Sequence, residues 1–351
     1  MERSKSPKRP SWLSFKSEIP ETVTSRRLIV GVDVGGTNVI VGTVTEDGST
    51  IYGLRQARTR VNNGAESVVT QIGTLVQDSL NATRAALGHD IEVAGVGIGA
   101  PGPLDTARGL VLLTPNLGWV DFPLRDRVSE TVGLAATLDN DANCAVLGEW
   151  WQGAARDAKD VIGLTIGTGI GGGIVIGGRL YHGSSDMAAE FGHMSIDSTG
   201  RQCKCGNYGC LEAYASGTAI AARAREGADS GVETNLSQYV GGDLSILTAA
   251  DVYEAAKHGD EYALEVIKDT ARFLGAGISN LVNIFNPELI VICGGVTAAG
   301  DRLFVPLKAE VRRRAFRPAV EGCRIVAGQL PGTAGVFGAV AAFKAQTWGD
   351  V

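Results

Sequence analysis

Leu28-Ile29-Val30-Gly31-Val32-Asp33-Val34-Gly35-Gly36-Thr37, followed by Val39-Ile40-Val41-Gly42-Thr43-Val44, decides how the rest of the chain is read. The first seven residues are an apolar run of strand length with an acid, Asp33, near its end. Gly35-Gly36-Thr37 is a turn, and Val39 to Val44 is a second strand. Asp47-Gly48 is a hairpin turn leading to a third. About 130 residues later the unit returns. Val161 to Ile166 is a strand, Gly167-Thr168-Gly169-Ile170-Gly171-Gly172-Gly173 a turn, and Gly173 to Ile176 a strand again. A strand, glycine turn and strand met twice is a weak internal repeat. It predicts two related α/β domains facing each other across a cleft.

The segments after each unit agree with this. From Ala65 to Leu87 the apolar residues keep the helical period, and Ile91 to Ile98 returns to strand. Leu134 to Leu138 reads as a strand, with a helix from Ala142 to about Gln152. A helical run from Leu264 to Asn286 stops before Pro287, since a proline disfavours helix in the residue before it. Leu289 to Cys293 is a buried strand, and Gly294-Gly295 opens the next helix. Ala334 to Ala345 is a helix of small residues packed back on the first domain. The expected domains are therefore 28–140, joined by residues 334–351, and 141–333.

Composition sets the outer bounds. The chain has 351 residues, 44% hydrophobic and 20% charged, which suits an ordinary water-soluble fold with ample core. Its 48 glycines are about twice the usual share, and they gather in turns, as they would where backbone approaches a ligand. Lys and Arg number 32 against 38 acids, a net charge of −6, so no nucleic-acid partner is expected. Residues 161–178 carry no charge, but eight of the eighteen are glycine and the run splits into two strands, so no membrane span is expected. Six cysteines and no apolar signal segment point to a reducing compartment, the cytoplasm. Cys144, Cys293 and Cys323 read as buried small hydrophobes. Residues 1–27 hold seven basic residues, three acids and three prolines, and read as a disordered tail or a basic anchor.

Chemistry concentrates between residues 190 and 212, in Glu190-Phe191-Gly192-His193 and Cys203-Lys204-Cys205-Gly206-Asn207-Tyr208-Gly209-Cys210-Leu211-Glu212. His193, Cys203, Cys205 and Cys210 make a closed tetrahedral set for a structural zinc, with no place left for water. A redox thiol cluster is the alternative, but Cys-x-Cys is too short for an easy disulfide and the histidine has no redox role. Glu190 and Glu212 bracket the ligands. The turns at Gly35-Gly36-Thr37 and Gly167 to Gly173 can offer backbone N–H groups to phosphate, with Asp33 reaching a phosphate-bound magnesium through water. A purely structural turn is the other reading of each, and neither is a Walker A loop. Gly294-Gly295 can let an adenine lie against backbone, or simply start a helix. Asp141 follows a strand at a helix N-terminus, whose dipole should keep it ionised. A capping role and a role as base weigh equally on the residues alone. His182 and His258 have no partners in sequence.

Taken in order, Asp33-Val34-Gly35-Gly36-Thr37, Ala100-Pro101-Gly102, Pro115-Asn116-Leu117, Asn140-Asp141-Ala142-Asn143, Gly167 to Gly173, Glu190 to His193 and the cysteine stretch ending at Glu212 resemble the ROK family of repressors and sugar kinases. The resemblance implies a two-domain actin-like ATPase (ribonuclease H-like) fold with a cleft between the domains. It implies an ATP- and magnesium-dependent hexokinase, with glucose the first choice of substrate and Asp141 as general base. Gly102, Asn116, Asn140, Glu190, His193 and Glu212 would hold the sugar hydroxyls. Asp33, Gly35, Gly36, Thr37, Thr168 and Gly169 would line the phosphates, and Gly294 and Gly295 the adenosine. Fructose, mannose and N-acetylhexosamines share these motifs, and polyphosphate is an alternative donor. The family also implies a homo-oligomer, dimer or tetramer. A sugar-responsive transcriptional regulator is the rival within the family; a filament or chaperone ATPase is the rival outside it. Only 27 residues precede the first strand, too few for a separate DNA-binding domain.

Overall fold

Alternating apolar runs and glycine turns place the chain in two sheets. The computed structural model describes residues 27–114, 117–349 and 351. The basic tail, Arg27 apart, and Asn116 therefore lie outside the described residues. In chain order the elements are β1 (Arg27–Val34), β2 (Asn38–Thr45), β3 (Ile51–Arg58), α1 (Ala65–Leu87), β4 (Glu92–Ala100), β5 (Leu104–Asp105), β6 (Leu110–Thr114), β7 (Trp119–Phe122), α2 (Leu124–Val132), β8 (Ala136–Asn140) and α3 (Asp141–Gln152). There follow β9 (Val161–Ile166), β10 (Ile170–Ile176), β11 (Arg179–Leu180), α4 (Glu212–Ala215), α5 (Gly217–Asp229), α6 (Leu236–Tyr239), α7 (Ala249–Lys257), α8 (Glu261–Phe285), β12 (Leu289–Cys293), α9 (Asp301–Arg314), α10 (Arg317–Gly322), β13 (Arg324–Ala327) and α11 (Ala334–Trp348).

The two large sheets have one plan. The first runs β3-β2-β1-β4-β8 and the second β11-β10-β9-β12-β13. In each, an antiparallel hairpin (β1 with β2, β9 with β10) is extended by two parallel strands. Parallel strands need crossovers, which α1 and the helices before β12 supply. The central strands are buried on both faces and so read as continuous apolar runs. A small third sheet, β5-β6-β7, hangs on the first half.

The two halves meet on α3 and α11, the helices that follow the last strand of each sheet. A Cβ on Gly338 would overlap the carbonyl oxygen of Cys144, and one on Gly148 would overlap that of Ala334, so only glycine lets these helices approach so closely. The other face of α11 lies on β1, β4 and β8. Its sequence is small and apolar nearly all round because it is buried nearly all round.

Three readings of the sequence need correction. The turn expected over 167–173 is confined to 167–169: Gly171, Gly172 and Gly173 already pair in register with Thr165, Leu164 and Gly163. Neighbours fill the space a side chain would need: Val146 of α3 over Gly163 and Gly173, Ala142 over Gly171 and Phe191 over Gly172. Gly294-Gly295 opens a single 3-10 turn, and α9 begins only at Asp301. Cys144 and Cys293 are buried as expected, but Cys323 is half-exposed.

Candidate active site

β8 and α3 are continuous, and their junction forms the floor of a cleft. Asn140 caps α3, its side-chain oxygen accepting from the N–H groups of Ala142 (2.9 Å) and Asn143 (3.1 Å). The capping role weighed for Asp141 therefore falls mainly to its neighbour. Asp141 opens onto a cavity of about 370 Å³ shared with Gly102, Asn140, Glu190 and His193. Five of the residues expected around a sugar thus line one space. Gly102 sits at φ 92° where a side chain would strike the Leu113 carbonyl, so the β4–β5 turn can enter the cavity only as glycine.

Glu212 lies beside this cavity. One of its carboxylate oxygens accepts the Ile170 N–H at 2.8 Å, and the other is 4.0 Å from the Cys203 sulfur. It therefore bridges the start of β10 and the cysteine loop.

That loop brings its four donors together. The His193 Nδ1 and the sulfurs of Cys203, Cys205 and Cys210 all lie within 4.8 Å of one another. Cys205 and Cys210 sulfurs are 3.7 Å apart, and Cys203 sulfur is 3.8 Å from His193 Nδ1. Zinc–sulfur bonds of about 2.3 Å in a tetrahedron require ligand separations of about 3.7 Å, so the donor set fits zinc. Because Nδ1 faces the thiols, Nε2 is the ring nitrogen left for the cavity.

The glycine turns leave space that the chain does not itself fill. A Cβ placed on Gly36, Gly167 or Gly295 would meet no atom within 4 Å, and none of the three has a positive φ. Packing and backbone strain therefore do not require glycine there, and the space over each is open. Thr59 braces the first turn, its hydroxyl donating to the Gly35 carbonyl at 2.7 Å and its N–H to the Thr37 carbonyl at 2.9 Å. The second turn is tied to the start of α5 by Gly217 N–H to the Gly167 carbonyl and the Thr218 hydroxyl to the Thr168 carbonyl. Between Gly167, Thr168 and Gly295 opens a cavity of about 350 Å³ walled by Ile166, Ala221, Leu247, Tyr253 and Val296. A neighbouring space of about 490 Å³ joins Asp33, Thr165 and Gly294 to the start of α11. Residues 217–221 and 247–253 carry no motif, and their place here comes only from helix packing.

The charges in the cleft are negative. Among the described residues, the lining of these three cavities holds Asp33, Asp141, Glu149, Asp186 and Glu190 and no Lys or Arg. Burial pushes the Asp33 carboxyl up to about 7, with Asp141 adding repulsion. Burial likewise raises Asp141 to about 6, against the N–H of Ala142 (2.8 Å), which favours the carboxylate. The dipole expected to hold Asp141 ionised is thus outweighed by loss of water. Two buried carboxyls that resist ionising in one cleft suit a divalent cation that would offset their charge and that of a polyanion.

One site residue was invisible in sequence. His182, without a partner in the linear chain, has its Nε2 2.8 Å from Oδ2 of Asp139, a carboxylate only 1% exposed.

Two halves of one plan, each with a glycine hairpin open to the cleft, define the two-domain actin-like (ribonuclease H-like) fold. The ROK family model matches residues 29–346. The chain is 40% identical over 315 residues to a glucokinase of Halalkalibacterium halodurans, covering 90% of this chain and 94% of that one. It is 36% identical to a putative xylose repressor of a Caldicellulosiruptor species, over 90% of this chain and 77% of the repressor. A ROK family glucokinase from Streptomyces griseus, solved with glucose and AMPPNP, superposes with a TM-score of 0.77 at 37% identity, covering 89% of this chain and 98% of that one. The chain belongs to the ROK family. Among the described residues, no helix is long and apolar enough to cross a membrane.

Proposed function

We propose that this protein is an ATP-dependent hexokinase that moves the γ-phosphate to the 6-hydroxyl of a hexose, with glucose the first substrate to test. One observation carries the reading. Asp141, deeply set with its carboxyl raised to about 6, shares a sugar-sized cavity with Asn140, Glu190 and His193, beside an open glycine cradle. The likeness to glucokinases of the same family supports it.

The work is divided by region of the cleft. Gly102, Asn116, Asn140, Glu190, the His193 Nε2 and Glu212 hold ring hydroxyls. The 6-hydroxyl gives its proton to Asp141 as its oxygen attacks the γ-phosphorus; the bond from that phosphorus to the bridging oxygen breaks, and ADP leaves. Gly35, Gly36, Thr37, Thr168 and Gly169 present backbone and hydroxyl groups to the phosphates. The apolar cavity beside Gly295 takes the adenosine, with Gly294 at its edge. Asp33 would hold magnesium through water, and the cation would supply the positive charge the cleft lacks. His193, Cys203, Cys205 and Cys210 would hold zinc, which supplies a fixed shape to the wall and no chemistry.

We further propose the division into residues 28–140 with 334–351 and residues 141–333, a cytoplasmic location and a homo-oligomer. A coupled assay with ATP or polyphosphate against glucose, fructose, mannose, N-acetylglucosamine and N-acetylmannosamine tests the reading. Turnover highest with ATP and glucose is the expected result; no turnover with any sugar rejects it. The likeness to a putative xylose repressor supports a second reading, a sugar-responsive regulator. Binding to a specific DNA at low salt would favour that one.

A further inference from the structure

The segment between β11 and Glu190 crosses from one half of the molecule to the other and is fastened there twice. Tyr181 leaves the second sheet with its N–H on the Ile174 carbonyl, and the N–H of Ala188 returns to the His182 carbonyl at 3.1 Å. Between them, His182 reaches Asp139 of β8 in the first half, Nε2 to Oδ2 at 2.8 Å. Four residues on, Oδ2 of Asp186 accepts both the N–H and the hydroxyl of Thr106, each at 2.9 Å, from the turn after β5. Asp186 (φ 58°) and Ala189 (φ 67°) are held in the left-handed region that side chains disfavour, so this backbone needs its fastenings. Asp186 to Glu190 form one wall of the cavity over Asp141.

The first fastening is shared with the catalytic floor. Asp139 takes the Asn140 N–H at 2.8 Å and the Asn143 side chain at 3.2 Å on one oxygen. Its other oxygen takes His182 and, from α11, Gln346 at 3.2 Å. A single buried carboxylate thus joins the strand that leads into Asp141, the two central helices and the segment that ends in Glu190.

We propose that residues 181–190 are a strap that fixes the hexose wall against the catalytic floor, with His182 and Asp186 as its positioning residues. This rests on the hexokinase reading for its substrate, though not for its geometry. The hydrogen bond to Asp139 favours the imidazolium and holds His182 above its ordinary value, against the burial that opposes charge. Facing it are Asp139 from β8, Asp186 on the strap and Arg179 from β11; α3 and α11 present the uncharged Leu147, Trp150, Ala342, Ala345 and Gln346. As pH rises through that raised value the ion pair becomes a neutral hydrogen bond, and the wall loosens.

The test uses the full chain. His182→Ala should raise the hexose KM about tenfold while kcat stays within about threefold, as expected for a lost bond to a charged group. His182→Gln, which keeps a donor, should recover most of that KM. The wild-type KM should climb at alkaline pH and the His182→Gln KM should not. Amide exchange without sugar should quicken over residues 182–190 in His182→Ala and Asp186→Ala, with thermal melting confirming the fold. Unchanged exchange there, or a KM within about twofold of wild type in both alanine variants, overturns the strap. If wild-type protein phosphorylates no hexose, the hexokinase reading fails and the exchange measurement alone decides the strap.

Discussion

Asp141 stands under two opposed influences, and their balance sets its use. Burial favours the neutral acid, while the Ala142 N–H favours the carboxylate; the result, about 6, leaves it mostly ionised at neutral pH yet basic enough to take a proton. Asp141→Asn should therefore cost about 10³-fold in kcat and leave hexose affinity within several-fold, measured by turnover and by calorimetric titration. A variant with ordinary turnover would remove Asp141 from the mechanism. In the wild type, kcat/KM should fall as pH drops through about 6. The same group has a stability signature of the opposite sign to a salt-bridged acid. Its folded value lies above the unfolded 3.8, so the folded state binds the proton more tightly and loses stability as pH rises from about 4 through 6. Asp141→Asn should then raise stability at pH 7.5 by roughly 1–3 kcal/mol, with the gain shrinking toward pH 4. Denaturant melts at the two pH values would read this, and equal gains at both would refute it. The chain order alone left capping and catalysis level for this residue. The neighbouring cap by Asn140 and the loss of water around the carboxyl favour the proposed role as base, and neither is a property of linear sequence.

The cysteine loop is the element with least structure of its own. Between Phe191 and Glu212 it contributes two isolated bridges, Ser195 with Cys210 and Gln202 with Tyr208, and no strand or helix beyond a single 3-10 turn. Its backbone is tied by bonds such as Ile196 N–H to the Gly209 carbonyl (2.8 Å) and Gly209 N–H to the Arg201 carbonyl (2.7 Å), and a zinc on the four donors would add to these. Metal analysis should find one zinc per chain, and stripping it with a strong chelator should lower hexose phosphorylation about tenfold or more while speeding proteolysis of this loop. Full activity in metal-free protein would detach the loop from the site. Helices α3 and α11 respond to a different force, close packing. Gly338→Val would drive a side chain into the Cys144 carbonyl and should cost at least about 1–3 kcal/mol by thermal melting; a neutral result would mean the helices can part without consequence. Legibility obeys the same physics. Helix α1 and strand β12 were readable to their ends, because periodicity and flanking breakers agreed. The span 167–173 misled because glycine inside a strand looks like a turn until the helix packed over it is known. His182, in the segment after β11, and Asp139, in β8, lie 43 residues apart, and nothing local marks them as partners.

At the scale of the whole molecule, the repeat seen as two glycine hairpins extends to complete sheets of the same strand order. The like plan frames the cleft: each half carries one glycine hairpin, and the two halves pack through the helix pair α3 and α11. The proposed hexose site is divided across that cleft, with Gly102, Asn140 and Asp141 on or at the end of the first sheet and Glu190 and His193 beyond the second. A bound sugar satisfies both sets together only by holding the halves close, which also excludes water that would compete for the γ-phosphate. ATP alone makes no such demand. Without sugar, ATP hydrolysis should therefore run at roughly 1% or less of the phosphorylation rate. Hexose should shrink the molecule in small-angle scattering, and ATP without sugar should shrink it much less. ATP turnover indifferent to hexose would instead place this cleft with ATPases that act on no small acceptor, and the divided site would lose its meaning.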